Sequence, residues 1–275
     1  MNLWDKDRYV APYDYLINSK IYEYDISKAN ISILNTYNVI NQKQYEYYYN
    51  LPKQQREIQI GLLLQKNRDI SKVLSNGFKE SRRIFVESNQ IPEENILYID
   101  KDSITVFDLY RLDSMDSFKV SDKITFLRKN IYSSYFRLGN GVDFLYYNNG
   151  KSTEYYRFKG MGKSISKFMN TDNSFLWLLL SIAYSGQYEG IVETIQLIKD
   201  IYHDYINFRF HFNYYKEFNQ SAKFRINTPY QCFYSEVITI NDLDCIDITY
   251  NATLLRRMYQ IFTREYLLQK AKELP

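Results

Sequence analysis

The sequence predicts an α+β fold, an antiparallel sheet with packed helices followed by a mostly helical C-terminal part. Three patterns predict it. Apolar, β-prone runs at residues 96–99 and 104–106 flank a tight polar turn, which reads as a hairpin. Between residues 53 and 89 the apolar residues recur at helical spacing. From residue 164 onward the pattern turns helical, most clearly over 175–184 and 191–205.

The elements follow in order. Residues 21–26 read as a short strand with Asp25 near its C-terminal end, and 27–49 as partly helical with an interruption near Asn41. Pro52 is placed as the first residue of a new helix, where its missing N–H does no harm. Ile58, Leu62 and Leu63 start an apolar stripe that Ile70, Val73, Leu74, Phe78, Ile84 and Phe85 continue. Gly61 and Gly77 interrupt the stripe and predict either two helices or a close contact. After Pro92 comes the hairpin, with Asp100 and Asp102 at its tip; alternation along a strand would put both carboxylates on one side. Residues 144–147 and 155–158 flank Asn148-Asn149-Gly150, which predicts a second hairpin. Residues 175–184 read as core and 254–274 as an amphipathic helix with Lys and Arg on its polar side. A boundary near Asn170 divides the chain into an α+β domain, 1–170, and a helical domain, 171–275.

Composition narrows the chemistry. The chain has 275 residues, enough for a substantial core, with 9 Gly and 5 Pro, too few for a linker-rich protein. Its 29 Tyr and 17 Phe fit an A/T-rich genome and would also supply rings for stacking on bases. Cys232 and Cys245 lack zinc-ligand spacing, and His203 and His211 are the only histidines, which excludes a zinc centre or a histidine triad. The start lacks the apolar core of a signal peptide, and the longest apolar run, 175–184, falls short of the roughly 20 residues of a membrane span. A cytoplasmic protein without a membrane partner is expected. Net charge is +3, yet residues 119–167 hold ten Lys and Arg against Asp122, Asp143 and Glu154. Such a stretch would follow a phosphate backbone.

The candidate site is a set of carboxylates. Asp25 ends a strand, and Asp100 and Asp102 stand two apart on a hairpin. Phosphoryl transfer uses two divalent ions about 3.5–4 Å apart, and Mg²⁺ prefers carboxylate oxygens. Lys53 and Arg56, one turn apart on a helix, would meet a triphosphate.

This order of strand, helix and hairpin resembles the palm of template-directed polymerases, family B DNA polymerases most closely. Tyr98-Ile99-Asp100-Lys101-Asp102-Ser103 resembles the family's Y-x-D-x-D-S motif in its Tyr, both Asp and Ser. The run Asp25-Ile26-Ser27-Lys28-Ala29-Asn30-Ile31-Ser32-Ile33 resembles the family's first aspartate motif in its Asp, later Ser and final apolar residue. Lys53 and Gly61 occupy the ends of the K-x3-N-S-x-Y-G pattern, whose Asn-Ser is Glu57-Ile58 here and whose Tyr is Ile60. Asn30 stands where the family has the aromatic residue that screens the sugar 2′ position. The resemblance spans residues 20–165. It implies metal ligation by Asp25, Asp100 and Asp102 with Mg²⁺ or Mn²⁺, nucleotide binding by Lys53 and Arg56, and primer-template contact by Arg157, Lys159 and Lys163.

Only 27 residues separate Asp25 from Lys53, so the fingers are reduced, and 24 residues ahead of Asp25 leave no room for a proofreading exonuclease. A protein partner would then supply the missing fingers or template contacts. Compactness and composition point to a phage-like protein acting in the host cytoplasm in DNA replication. The alternative is a non-enzymatic, palm-derived nucleic-acid-binding or structural subunit of a larger phage assembly. A metal-dependent nuclease on the same carboxylates is a third option.

Overall fold

The computed structural model describes residues 3–139, 142–148, 154–159, 173–206 and 248–273, and these form an α+β protein with a helical C-terminal part. Two units divide the chain: Met1–Tyr13 with Ser19–Ile131, and Asp14–Asn18 with Tyr132–Pro275. The boundary expected near Asn170 lies outside the described residues.

The first unit holds β1 (Arg8–Val10), most of β2 (Tyr15–Ile26), α1 (Ala29–Thr36), α2 (Gln42–Asn50), α3 (Lys53–Lys66) and α4 (Asp69–Ser88). It continues with β3 (Ile96–Asp100), β4 (Ser103–Phe107), β5 (Ser117–Lys119) and the start of β6 (Thr125–Gly139). The strand order here is β1-β3-β4-β2-β6, with β5 also on β6. The β3–β4 hairpin is antiparallel, and β4 runs antiparallel to β2, so Asp25 faces Ser103 and Ser103 faces Asp100 across the ladder. Residues 96–99 and 104–107 are all buried. Consecutive strand residues point to opposite faces, so both faces of this hairpin are covered, which suits runs that are apolar at every position but Thr105. From α4, Phe85 sets its ring against Tyr24 at 5.1 Å, Phe126 at 4.7 Å and, edge-on, Phe118 at 5.4 Å.

Local signals account for the helix ends. Asn41 caps α2 reciprocally: the Gln44 N–H donates to Asn41 Oδ1 at 2.9 Å, and the Asn41 N–H donates to Gln44 Oε1 at 3.0 Å. Pro52 sits one place earlier than expected, as the N-cap of α3. The break between α3 and α4 falls at Asn67, which closes α3 and accepts the Asp69 N–H on Oδ1 at 2.9 Å. Neither glycine breaks the helices. At Gly77 a Cβ would collide with Ile33 of α1, so this glycine marks the close contact, whereas Gly61 faces open space.

In the second unit the later part of β6 pairs antiparallel with β7 (Val142–Asn148), and β7 with β8 (Glu154–Lys159). That is the second hairpin; its expected Asn149-Gly150 turn lies outside the described residues. Among the described residues the helices here are α5 (Asn173–Tyr188), α6 (Ile191–Ile206) and α7 (Ile248–Glu273). Leu179, Ile182 and Ala183 of the apolar run are fully buried. Phe262 of α7 meets Phe136 at 5.7 Å and passes so close to Gly186 that only a glycine fits there. Asp14 takes Arg257 at 2.7 Å and Arg264 at 3.0 Å, which anchors α7 to the start of β2. Among the described residues no helix is long and apolar enough to cross a membrane.

Candidate functional site

The end of β2 is fixed on both sides. The Ile26 N–H donates to the Asp102 carbonyl at 3.0 Å, and the Ser27 N–H to the Thr125 carbonyl at 2.9 Å. Lys28 then adopts a left-handed φ of 48° and turns the chain into α1. These constraints shape a cleft of about 320 Å³ in the first unit. Asp25 lines it from β2, Ser27 and Lys28 from the link to α1, Asn30 from the start of α1, and Lys53, Arg56 and Glu57 from the first turns of α3. Asp102 enters from the hairpin turn, and Lys129 from β6.

Three of the cleft's cations have contacts that orient them. Lys53 lies 3.8 Å from Glu57, and Arg56 donates to the Leu51 carbonyl at 3.3 Å. The spacing of three puts Lys53 and Arg56 on one helix face. Lys28 donates to the Tyr49 carbonyl at 2.8 Å and stands over the Tyr49 ring. Burial holds the Asp102 carboxyl above the usual carboxylate range, and the charge of Asp100 pushes the same way, while Lys101 and Lys53 oppose it.

Asp25 and Asp102 therefore share the cleft with Lys53 and Arg56. Asp100 does not line it: as the last residue of β3 it is exposed, with its Oδ1 3.1 Å from Arg8 Nε. Strand alternation does not extend from Asp100 to Asp102, because the two-residue turn between β3 and β4 begins at Lys101 with a left-handed φ of 46°. Ser103 Oγ closes the turn by donating to the Asp100 carbonyl at 3.0 Å. Among the described residues, no three His, Cys, Asp or Glu side chains gather as a metal-holding group. Arg157 is exposed on β8 opposite Leu145, and Lys159 stands opposite Asp143 in the same ladder. Both belong to the second unit, and Lys163, like Cys232, Cys245 and His211, lies outside the described residues.

Three functional candidates escaped the sequence reading. Lys28 and Lys129 line the cleft, but one lysine in a helix start and another in a strand carry no local mark of their direction. Arg82 is wholly buried in α4. Its signal was present: it falls four residues after Phe78 and three before Phe85, on the helix's apolar stripe.

A family model described as "Bacteriophage PBS1 gene 130 protein" matches residues 1–264. The chain belongs to this bacteriophage family. The match covers residues of both units and stops nine residues before the end of α7. A search of curated proteins finds no match. The family's description names no chemistry.

Proposed function

We propose that this phage protein is a template-directed, DNA-polymerase-like nucleotidyltransferase working in the host cytoplasm. One observation carries the reading: a single cleft gathers Asp25 and Asp102 with Lys53 and Arg56. The arrangement of strand, helices and hairpin, with β4 beside β2, is the order that the resemblance to a family B palm implies.

The donor set fits a hard divalent cation. Mg²⁺ binds through one or two carboxylates and completes its shell with water and phosphate oxygens. The Asp102 carboxyl is half-buried with Asp100 nearby, and a divalent cation bound to it would add to the opposing charge of Lys101 and Lys53. Asp25 and Asp102 would hold Mg²⁺ or Mn²⁺, with Asp100 adding charge from beside the cleft. When bound, the metal lowers the pKa of the attacking hydroxyl and stabilises the leaving phosphates. Lys53 and Arg56 hold the outer phosphates of the nucleotide. A primer 3′-hydroxyl oxygen then bonds to the α-phosphorus as the bond to pyrophosphate breaks. Arg157, Lys159 and Lys163 contact the nucleic acid, and a protein partner supplies what α1 and α2 are too short to provide as fingers.

Primer extension with nucleoside triphosphates and Mg²⁺ or Mn²⁺ tests this. Wild type should extend the primer, and Asp25→Asn or Asp102→Asn should lower the rate by orders of magnitude with the fold intact. The position of Asp100 on Arg8, outside the cleft, favours a second reading, a non-enzymatic nucleic-acid-binding subunit. Nucleic-acid binding without extension, even with the natural partners present, would select that reading; absence of both would end the two together.

A further inference from the structure

We infer that Arg82, which touches no substrate, is a positioning residue that holds Asp102 in the cleft; the inference deepens the two-carboxylate reading and rests on it. Arg82 is wholly buried, and its guanidinium is used entirely on backbone carbonyls. Its Nη2 donates to the Trp4 carbonyl at 2.9 Å and to the Lys6 carbonyl at 2.8 Å, and Nε also reaches Trp4 at 3.3 Å. Its Nη1 donates to the carbonyl of Lys101, the first residue of the hairpin turn. From the other side, the Lys101 N–H donates to the Asp7 carbonyl at 2.9 Å.

Both backbone groups of Lys101 are thus clamped, one by Arg82 and one by the N-terminal segment that Arg82 also holds. The clamp matters because Lys101 has a φ of 46°, a left-handed conformation that a residue with a Cβ resists. Released, the turn would leave that conformation, and Asp102, the next residue, would swing away from Asp25. A buried guanidinium is a fitting clamp: its planar fork reaches several carbonyls at once, which a lysine cannot do.

The test uses the full chain and Mn²⁺ as the probe, with affinity read from free-ion electron paramagnetic resonance. Arg82→Lys keeps the charge but loses the fork, and should weaken Mn²⁺ binding about 10- to 100-fold, the usual effect of losing a group that orients a metal ligand. Adding Lys101→Gly, which adopts positive φ without strain, should restore most of that affinity. Unchanged affinity in Arg82→Lys, or no recovery in the double variant, overturns the inference. If Arg82→Lys fails to fold, Lys101→Ile strains the same turn with Arg82 intact and should show the same loss; wild-type affinity would overturn it. If wild type binds no Mn²⁺, the cleft reading fails separately, and amide exchange decides the clamp. The Ile26 N–H, bonded to the Asp102 carbonyl, should then exchange faster in Arg82→Lys, and an unchanged rate overturns the clamp.

Discussion

The environment of Asp102 opposes its charge, through burial first and the charge of Asp100 after it. A carboxyl raised in the folded state binds its proton more tightly there than in the unfolded chain. Its contribution to stability is full below the ordinary carboxylate value of about 3.9 and is lost as pH rises through the raised value. Asp102→Asn keeps the shape and removes the charge. In chelating buffer it should melt above wild type at neutral pH, with the gap closing as pH falls through the carboxylate range. Calorimetry at both pH values checks this, and equal melting at neutral pH would mean that the charge meets no penalty. Lys53 poses a kinetic question. Lys53→Ala should raise the nucleotide KM with kcat nearly kept, as for loss of uniform binding, whereas a fall in kcat alone would remove it from phosphate binding. The place of Asp25 and Lys53 in the cleft was legible from short motifs, and that of Arg56 from its position one helical turn after Lys53. Lys129 and Arg82 were not, since their roles depend on contacts from distant parts of the chain.

At the scale of the elements, local chemistry read well where the signal was local. The hairpin was legible from its turn and its two apolar runs, and the interruption near Asn41 proved to be a capping box. Two helices over 53–89 were legible, but the position of their break was not: Gly61 and Gly77 drew attention from Asn67, whose side chain folds back on the Asp69 N–H. Nor did alternation locate Asp102, because one left-handed residue at Lys101 ends the strand before it. The two glycines make opposite predictions. In α4, Gly77→Ala drives a Cβ into Ile33 and should cost about 1–3 kcal/mol as overpacking. In α3, Gly61→Ala meets nothing within 4 Å and should stabilise by about 0.5–1 kcal/mol through helix propensity. Urea denaturation of both variants checks the pair, and a destabilising Gly61→Ala would show that α3 needs that glycine for a contact not made by its own unit.

For the whole molecule, the α+β class was legible from element order, while the partition of charge was not. Residues 119–167 read as one basic ribbon, yet the fold uses several of these cations internally. Lys119 pairs with Asp122 at 2.8 Å, and Arg128 holds Asp116 and the carbonyls of Leu112 and Asp113. Lys129 turns to the cleft. Sequence counts every charge equally, and only the fold separates a cation that holds a loop from one that meets a phosphate. This distinction sets the expected salt dependence of nucleic-acid binding, because each phosphate contact releases counterions and steepens the fall of log K with log salt. Arg157 is exposed on β8 and Lys159 lies two residues on. Replacing both with Ala should flatten the slope by about 1.4 on single strands and about 1.8 on duplex, from about 0.7 and 0.9 per contact. Lys119→Ala, which loses a cation already paired, should change it far less. Titrations from low to moderate salt measure all three slopes. Equal flattening by Lys119→Ala and the Arg157/Lys159 pair would mean that the stretch binds as an undivided charge.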